Sequence, residues 1–401
     1  MERYDLVTVG GGLAASALAK MMAERGARVL IVEREREFRD RVRGEALAPW
    51  GIAELAAAGL LDVVQPAIAD DLHALRLFVG GMQVSERDFP STTLQGCSWL
   101  ALYHPALQRV AISAAERAGA EVRRGARVSE IRPRRPPEVT IEQDGHKADI
   151  AARIVVAADG RASTARGLAG FETRRDPPKL LFAGVYMEDL AIEPGYFYQF
   201  ADPFRGRIAY VFPQRAGRAR CYVGWNKDGV DIPRLQGEAS FPRFRSEAED
   251  IGVPPDAFAP ARMAGPLATF DGADSCVDHP YRDGIALLRD AAATSDPTWG
   301  QGMSMALRGA HVLADALAAT DDWNAAGHAY AAEHDRVYGI VHRADGWFQQ
   351  LFMEVGPEAE ERRARALPLL MVDPTRAIDV PSSGPESPHD ETARRRFFGE
   401  D

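Results

Sequence analysis

The sequence predicts an α/β protein in which a parallel-sheet domain is interleaved with an antiparallel sheet and followed by C-terminal helices. Two observations predict this class. Three apolar runs, at 4–9, 27–32 and 154–158, are each followed by a glycine or a carboxylate, as buried parallel strands of an α/β sheet are. Between and after them, shorter runs that alternate apolar, aromatic and polar residues predict the strands of a separate antiparallel sheet.

The composition is that of an ordinary globular protein. The 401 residues are 46% hydrophobic, and 48 basic residues face 58 acidic ones, so the net charge of −10 argues against a general nucleic-acid-binding surface. At roughly 150 residues per domain, we expect two or three domains. No apolar run reaches the roughly 18 residues of a membrane span. Three separated cysteines and an amino terminus without a signal-peptide pattern predict a cytoplasmic protein.

A glycine-rich turn follows the first apolar run. Gly10 and Gly12 belong to a GxGxxG pattern with Ala15 in the third small position, and the next apolar run ends at Glu33. Strand, glycines, helix, strand and acid in this order predict a Rossmann-like unit that binds a diphosphate on free helix N–H groups and ribose hydroxyls on Glu33. The residues predicted to contact the nucleotide are Gly10, Gly12, Leu13, Ala14, Glu33 and Arg34.

A second motif follows the apolar run at 154–158. The eight residues from Asp159 to Arg166 read DGRASTAR, and an ordinary Asp-Gly turn explains the first two of them but not Ser163 and Arg166. The string resembles the DGxxSxxR fingerprint of flavoprotein aromatic hydroxylases, a superfamily that includes para-hydroxybenzoate hydroxylase-like enzymes, halogenases and geranylgeranyl reductases. The resemblance implies FAD as the cofactor, with Asp159, Gly160, Ser163 and Arg166 at its site.

A third motif begins after the strand-like run at 284–288. In the family, an aspartate here binds the flavin ribityl chain, and a later helix start faces the pyrimidine edge, where negative charge collects on reduction. Arg289 stands where the family usually has glycine, and we expect its side chain to turn away from the cofactor. The residues that the resemblance assigns to FAD here are Asp290, Pro297, Gly300, Gln301, Gly302 and Met303.

Two further residues complete the predicted cofactor site. Arg43 resembles the arginine that reaches the flavin in many relatives, and its fixed charge suits a pyrophosphate or a substrate carboxylate. An exposed helix start is the alternative interpretation. His104 precedes a helix where relatives carry an arginine that touches the cofactor, and an ordinary residue at a helix start is again the alternative.

The resemblance also implies a division into domains. The antiparallel sheet would cover the flavin, with the substrate between them, and the last residues are rich in Pro, Ser and charge, which predicts a loosely ordered tail. The predicted parts are an FAD-binding domain at 1–71, 98–176 and 265–322, a substrate-binding sheet domain at 72–97 and 177–264, a helical region at 323–372 and a flexible tail at 373–401.

Aromatic residues in the predicted sheet are the candidates for a substrate pocket. Aromatic side chains are favoured on any half-buried sheet, so each of them has a purely structural alternative. No general acid or base is assigned. The candidate pocket residues are Tyr196, Tyr198, Tyr210, Tyr222 and Trp225.

The single βαβ unit leaves no separate fold for a nicotinamide. The resemblance therefore implies a monooxygenase in which NAD(P)H or a separate flavin reductase supplies electrons, and a C4a-hydroperoxyflavin transfers one oxygen atom of O₂ to a small aromatic or conjugated substrate. Reduction of prenyl-type alkenes, halogenation and a non-catalytic binding module remain alternatives, although the GWxWxIP string of tryptophan halogenases is not seen near Trp225. The sequence shows no metal-ligand cluster, so no metal is predicted.

Overall fold

A computed structural model describes residues 1–228 and 232–401 of the chain. Within these residues the helices are α1 (Leu13–Glu24), α2 (Pro49–Ala57), α3 (Leu61–Ile68), α4 (Phe89–Thr92), α5 (His104–Arg117), α6 (Thr164–Leu168), α7 (Phe241–Ile251), α8 (Pro255–Phe258), α9 (Gly302–Ala318), α10 (Trp323–Phe352), α11 (Pro357–Val372), α12 (Val380–Ser383) and α13 (Glu391–Phe398). The strands are β1 (Glu2–Val9), β2 (Val29–Glu33), β3 (Ala46–Leu47), β4 (Ala69–Leu72), β5 (Ala74–Val79), β6 (Met82–Asp88), β7 (Trp99–Leu102), β8 (Glu121–Arg124), β9 (Ala126–Arg132), β10 (Glu138–Gln143), β11 (His146–Ala157), β12 (Arg174–Arg175), β13 (Leu180–Glu188), β14 (Tyr196–Asp202), β15 (Arg207–Gln214), β16 (Arg218–Asn226), β17 (Arg262–Met263), β18 (Ala268–Asp271), β19 (Ser275–Cys276), β20 (Tyr281–Arg282), β21 (Ile285–Leu287) and β22 (Ala293–Thr294).

The first sheet is largely parallel and has the strand order β20-β21-β11-β1-β2-β8. Val9, at the end of β1, lies opposite both Val32 and Ala157, and Ala157 lies opposite Leu287. The carboxyl ends of β1, β2, β11 and β21 therefore form one edge. In open α/β sheets, ligands bind at this edge.

Helices α1, α5 and α9 cover one face of this sheet, and α5 and α9 both pack against α1. The helix α1 is rich in alanine, and Ala15, Ala17 and Ala19 are fully buried in it, because small side chains let the helix approach its neighbours closely. Apolar runs in β1, β2 and β11 fill the layer beneath, as expected for parallel strands that are covered on both faces.

The second sheet is mainly antiparallel, in the order β17-β13-β16-β15-β14-β5-β6, and only β14 and β5 pair in parallel. Helices α7 and α8 pack on one of its faces with the core around Phe244 and Phe258. The strand β18 also pairs with β13, so this sheet extends to Asp271. The boundary predicted at 264 therefore falls short by one strand, because β18 is separated in sequence from the strand with which it pairs.

The C-terminal residues do not form the loosely ordered tail predicted at 373–401. They contain α12 and α13, and the exposed fraction of Phe397 is 0% and that of Phe398 is 2%. Ion pairs hold the end of the chain, among them Arg376 with Asp401 at 2.7 Å. The prediction was wrong because it relied on the polar composition of the whole segment. A few apolar side chains within the segment are enough to anchor it.

Candidate cofactor and substrate site

The turn after β1 is shaped for close approach of a ligand. Gly10 has a φ of 102°, and a Cβ atom at this position would lie 2.6 Å from the carbonyl oxygen of Ala158. Gly12 precedes α1 and offers no side-chain cap to the first N–H groups of the helix. Leu13 and Ala14, which carry the first of these groups, line a large cavity. A diphosphate placed here would bind the uncapped helix start.

The carboxylate of Glu33 lies beside this turn, at the end of β2. It is 7% exposed, and its two oxygens accept hydrogen bonds from the N–H groups of Gly11 and Glu35, both at 2.7 Å. These bonds hold the carboxylate in the cavity wall, where a ribose would lie if the diphosphate binds α1. Arg34 follows with a mostly exposed side chain that also lines the cavity.

Of the four residues predicted from the second motif, two line the cavity and two support its framework. Asp159 and Gly160 line the cavity. Ser163 donates a hydrogen bond of 2.5 Å to the Asp159 carboxylate and caps α6, while Arg166 donates to the carbonyl oxygen of Ala291 at 3.2 Å. Ser163 and Arg166 do not line the cavity themselves. Arg166 ties the second motif to the third and Ser163 holds the second motif together, which corrects their assignment as cofactor contacts.

The third motif lies on the other side of the same edge. Gly300 has a φ of 70° and ends a short turn that leads into α9. Gln301 is fully buried, and its side-chain oxygen accepts a hydrogen bond from the Trp50 indole at 3.2 Å, so its side chain supports the turn rather than facing the cavity. The residues of this motif that line the cavity are Asp290, Pro297, Gly300, Gly302 and Met303.

Arg289 does not turn away from the cavity, contrary to the expectation from sequence. Its φ of 55° lies in the left-handed region, which explains why a glycine is usual at this position. The guanidinium lies 3.0 Å from the Asp290 carboxylate and donates to the carbonyl oxygen of Ala293 at 3.0 Å. A Cβ atom on Gly302 would lie 2.5 Å from it. Arg289 therefore places a positive charge at the start of α9.

Arg43 and His104 meet where the two sheets approach each other. The Arg43 guanidinium lies 3.7 Å from Asp290, and a Cβ atom on Gly44 would overlap the His104 ring. Burial, and then the charge of Arg43, lower the pKa of His104 to about 4. His104 is therefore neutral near pH 7 and cannot supply the positive charge of the arginine that it was predicted to replace, whereas Arg43 can.

A continuous cavity of about 2170 Å³ runs from the edge of the parallel sheet to the face of the antiparallel sheet. Single small ligands occupy pockets of about 300–1,000 Å³, so this cavity has room for a large cofactor together with a substrate. The wall opposite the glycines is formed mainly by the aromatic residues Trp99, Phe182, Phe197, Tyr210, Phe212, Tyr222, Phe270 and Trp299.

Two of the five predicted pocket residues lie on this wall. Tyr210 is 4% exposed, and its hydroxyl has no hydrogen-bond partner among the described residues. Burial raises the pKa of Tyr210 well above 10, so its hydroxyl stays protonated and can donate to a ligand. The hydroxyl of Tyr222 donates to the buried Glu45 carboxylate. Tyr210 is thus one of three polar groups of the aromatic wall without a partner among the described residues, together with the indole N–H groups of Trp99 and Trp299.

The other three predicted pocket residues lie on the opposite face of the antiparallel sheet. The Arg76 guanidinium stacks on the Tyr196 ring, the hydroxyl of Tyr198 donates to a backbone carbonyl, and the Trp225 indole donates to Glu247 at 3.2 Å. These three residues pack against the α7 side of the sheet. Their assignment was wrong because strand parity, which sequence spacing alone left open, decides the face.

A buried charged cluster beside Tyr222 was not predicted. Arg220 is fully buried, lies 2.7 Å from Asp40 and 3.2 Å from Glu45, and has a guanidinium that faces the Tyr186 ring. Burial raises the pKa of Glu45. Arg220 is distant in sequence from both carboxylates, 180 positions from Asp40, so no local pattern could have indicated the cluster.

The C-terminal segments also contribute to the cavity, which the sequence did not indicate. Phe348 and Phe352 of α10, Met371 of α11 and Phe397 of α13 line its far end. The Phe348 ring lies 4.9 Å from the ring of Trp299, which belongs to the third motif. The helices therefore close the cavity next to the part predicted to hold the flavin.

The close-approach glycines, the carboxylate at the end of β2 and the uncapped start of α1 fit an adenine dinucleotide, and the residual space fits its flavin half. The family model described as "FAD binding domain" matches residues 3–336, and the chain belongs to this family. It is therefore a flavin-dependent oxidoreductase that binds FAD. The family, the α/β fold class and the enzyme class predicted from the sequence are thereby confirmed.

The sequence identity to individual relatives is low. The chain is 26% identical over 335 residues to a digeranylgeranylglycerophospholipid reductase of Methanosarcina acetivorans, which covers 78% of this chain and 74% of the relative. It is 26% identical over 377 residues to a rifampicin monooxygenase of Streptomyces venezuelae, covering 90% and 74%. The structure of p-nitrophenol 4-monooxygenase PnpA from Pseudomonas putida superimposes with a TM-score of 0.79 at 22% identity, covering 93% and 95%. Among the described residues, no helix is both long and apolar enough to cross a bilayer.

Proposed function

We propose that the protein is a monooxygenase that transfers one oxygen atom of O₂ to a small aromatic or conjugated organic substrate. The observation that carries this proposal is the shape of the cavity, which joins the FAD edge of the parallel sheet to an aromatic wall. Flat aromatic side chains favour flat apolar ligands through offset and edge-to-face contacts. The relatives named as monooxygenases support the same class.

The FAD wall and the aromatic wall would have different roles in this reaction. Bound FAD, once reduced, supplies the electrons that activate O₂. The start of α9 and the Arg289 guanidinium place positive charge where the reduced flavin would carry negative charge. The aromatic wall excludes water, and Tyr210 donates a hydrogen bond that orients a polar group of the substrate.

The electron source is proposed to be NAD(P)H, used directly or through a separate flavin reductase. The chain has a single glycine-rich βαβ unit, so a nicotinamide would have to bind transiently at the same cavity. Adding NADPH to the FAD-loaded protein, with and without a flavin reductase, distinguishes the two routes by whether the flavin bleaches without the reductase.

A second candidate is the reduction of prenyl-type alkenes. It is favoured by the length of the cavity, whose apolar lining continues to Phe352, Met371 and Phe397 and would accommodate an extended chain. The reductase among the relatives supports it.

The decisive experiment supplies the reduced, FAD-loaded protein with ¹⁸O₂ and a panel of phenols and polycyclic aromatics, and with a prenyl lipid under argon. Incorporation of one labelled oxygen atom into an aromatic product supports the proposal. Saturation of the prenyl double bonds under argon, with no labelled product under oxygen, would replace it with the reductase function.

A further inference from the structure

Three side chains that are far apart in sequence meet behind the turn that precedes α9. His342 of α10 lies with its Nε2 atom 2.7 Å from Asp176 and 3.8 Å from Asp274. One potential ligand atom from each of the three residues lies within 4.8 Å of the others. The backbone also joins them, since the N–H of Asp176 donates to the carbonyl oxygen of Asp274 at 3.0 Å.

A fourth residue, Asp345, is buried on the helix that carries His342. Asp345 is 2% exposed, and neither of its carboxylate oxygens has a hydrogen-bond partner among the described residues. It lies three residues after His342 on α10, so the two side chains share one face of the helix. Burial, and then the charges of Asp296 and Asp274, raise the pKa of the Asp345 carboxyl, so Asp274 is near enough to act on it.

The carboxylates here outnumber the positive charges that face them. Arg161 donates to the carbonyl oxygens of Asp271 and Ala273 and pairs with the Asp271 carboxylate, so its hydrogen bonds are used elsewhere. Buried carboxylates without such partners are costly unless they bind a cation or take up protons. The Oδ1 atom of Asp274 is also without a partner among the described residues, while its Oδ2 atom is the one that lies 3.8 Å from His342.

We propose that Asp176, Asp274 and His342 bind a divalent transition-metal cation, with Asp345 as a buried carboxylate that strengthens the site. One imidazole nitrogen with two carboxylate oxygens is a ligand set suited to a cation such as Zn²⁺, whereas Mg²⁺ prefers oxygen ligands alone. The site would connect the segment that follows β12 and the start of β19 to α10. Because α10 also carries Phe348 and Phe352, the cation would hold one wall of the cavity in place.

The test uses full-length protein stripped with EDTA and titrated calorimetrically with ZnCl₂ or MgCl₂. We expect one tightly bound Zn²⁺ per chain, a higher melting temperature with Zn²⁺ and at least tenfold weaker binding of Mg²⁺. The variants H342A and D274N should lose the bound Zn²⁺. D345N, which keeps the side-chain shape, should remain folded and bind Zn²⁺ about tenfold more weakly. This is the usual loss of affinity when a residue that supports the metal ligands is changed.

The matched control is H311A. His311 also lies between two carboxylates, 2.7 Å from Glu54 and 3.0 Å from Asp315, but forms no such three-ligand group within the described part of the chain. Zn²⁺ binding that survives in H311A and disappears in H342A supports the proposal. Three results would each overturn it: no tight Zn²⁺ uptake by the unaltered protein, equal affinity for Mg²⁺, or unchanged Zn²⁺ uptake in H342A and D274N. The carboxylates of the cluster would then be neutralised by protons instead of a cation. None of these readouts depends on FAD or on turnover.

Discussion

The two walls of the cavity differ in how their residues come together. The FAD wall is made of short motifs, each contiguous in sequence, whose backbone groups and glycines lie at the strand ends and would make most of the contacts with FAD. The aromatic wall is made of single side chains from β7, β13, β14, β15, β16, β18 and the turn before α9, completed by α10 and α13. A ligand site built from backbone turns therefore leaves a readable sequence pattern, whereas one built from alternate strand residues does not.

The largest effect is expected from the glycine turn of the FAD wall. In G10A, the new Cβ atom would meet the Ala158 carbonyl oxygen at 2.6 Å in a left-handed backbone conformation. We expect a loss of roughly 3 kcal/mol or more in the free energy of unfolding, together with loss of FAD binding. Urea denaturation and FAD titration measure both.

The control is G26A, because Gly26 has a φ of 86° but no atom within 4 Å of the added Cβ atom. The free energy of unfolding of G26A should fall by only about 1 kcal/mol, because of backbone strain, and its FAD affinity should be unchanged. Equal losses in G10A and G26A would show that close approach at the FAD wall does not matter.

The pH dependence of stability tests the burial of His104, which lies between the two walls. Its pKa is lowered to about 4 in the folded protein, from 6.5 in the unfolded chain, so the unfolded chain binds the extra proton between these pH values. Stability should therefore fall as the pH drops from 6.5 to 4, by roughly 3 kcal/mol. Unfolding of the wild type and H104Q at each pH isolates this contribution, since contributions from other groups are common to both. A difference that is independent of pH would contradict the burial of a neutral His104.

Glu33 tests whether the FAD wall binds the ribose. E33A should weaken FAD binding by about 1–3 kcal/mol, the usual scale of hydrogen bonds to a charged group. E37A serves as the control, because Glu37 is an exposed carboxylate on the same loop that does not line the cavity. Fluorescence titration with FAD gives both affinities, and equal affinities in the two variants would remove Glu33 from the site.

Substitutions of Tyr210 and Tyr198 compare the two faces of the antiparallel sheet, because the two residues lie on opposite faces of it. Y210F removes a buried hydroxyl without a partner among the described residues, and should raise the free energy of unfolding by about 1 kcal/mol while lowering turnover. Y198F removes a donor to the Glu193 carbonyl and should lower stability by a similar amount with turnover unchanged. Thermal unfolding and product formation check both, and unchanged turnover in Y210F would contradict the pocket role of Tyr210.

The smallest effect is expected at Arg289. R289G relieves the left-handed conformation at a φ of 55° and releases the Asp290 carboxylate, so stability should change by less than about 1 kcal/mol and FAD affinity should be equal or higher. A shift of the flavin reduction potential to a lower value would confirm that the guanidinium stabilises the reduced form. Loss of FAD binding would instead make Arg289 a direct ligand.

Much of the FAD wall was predictable because its signals are local. The glycine turn, Glu33, Asp159 and Asp290 all line the cavity, as the order of strand, turn and helix indicated. Ser163, Arg166 and Gln301 were placed in the right turns but serve the framework, since a motif indicates the backbone path and not the direction of each side chain.

Local order along the chain was enough to establish the α/β class, the FAD motifs and their succession, because strands, glycine turns and helix starts are set by neighbouring residues. Tertiary structure alone decided which aromatics face the cavity, how Arg220 pairs with Asp40 and Glu45, and where Phe397 anchors the C terminus. The group of Asp176, Asp274 and His342 belongs with these, as its ligand atoms lie on segments up to 166 residues apart. Such contacts depend on strand parity and on the packing of distant segments, and neither is encoded in any short stretch of sequence.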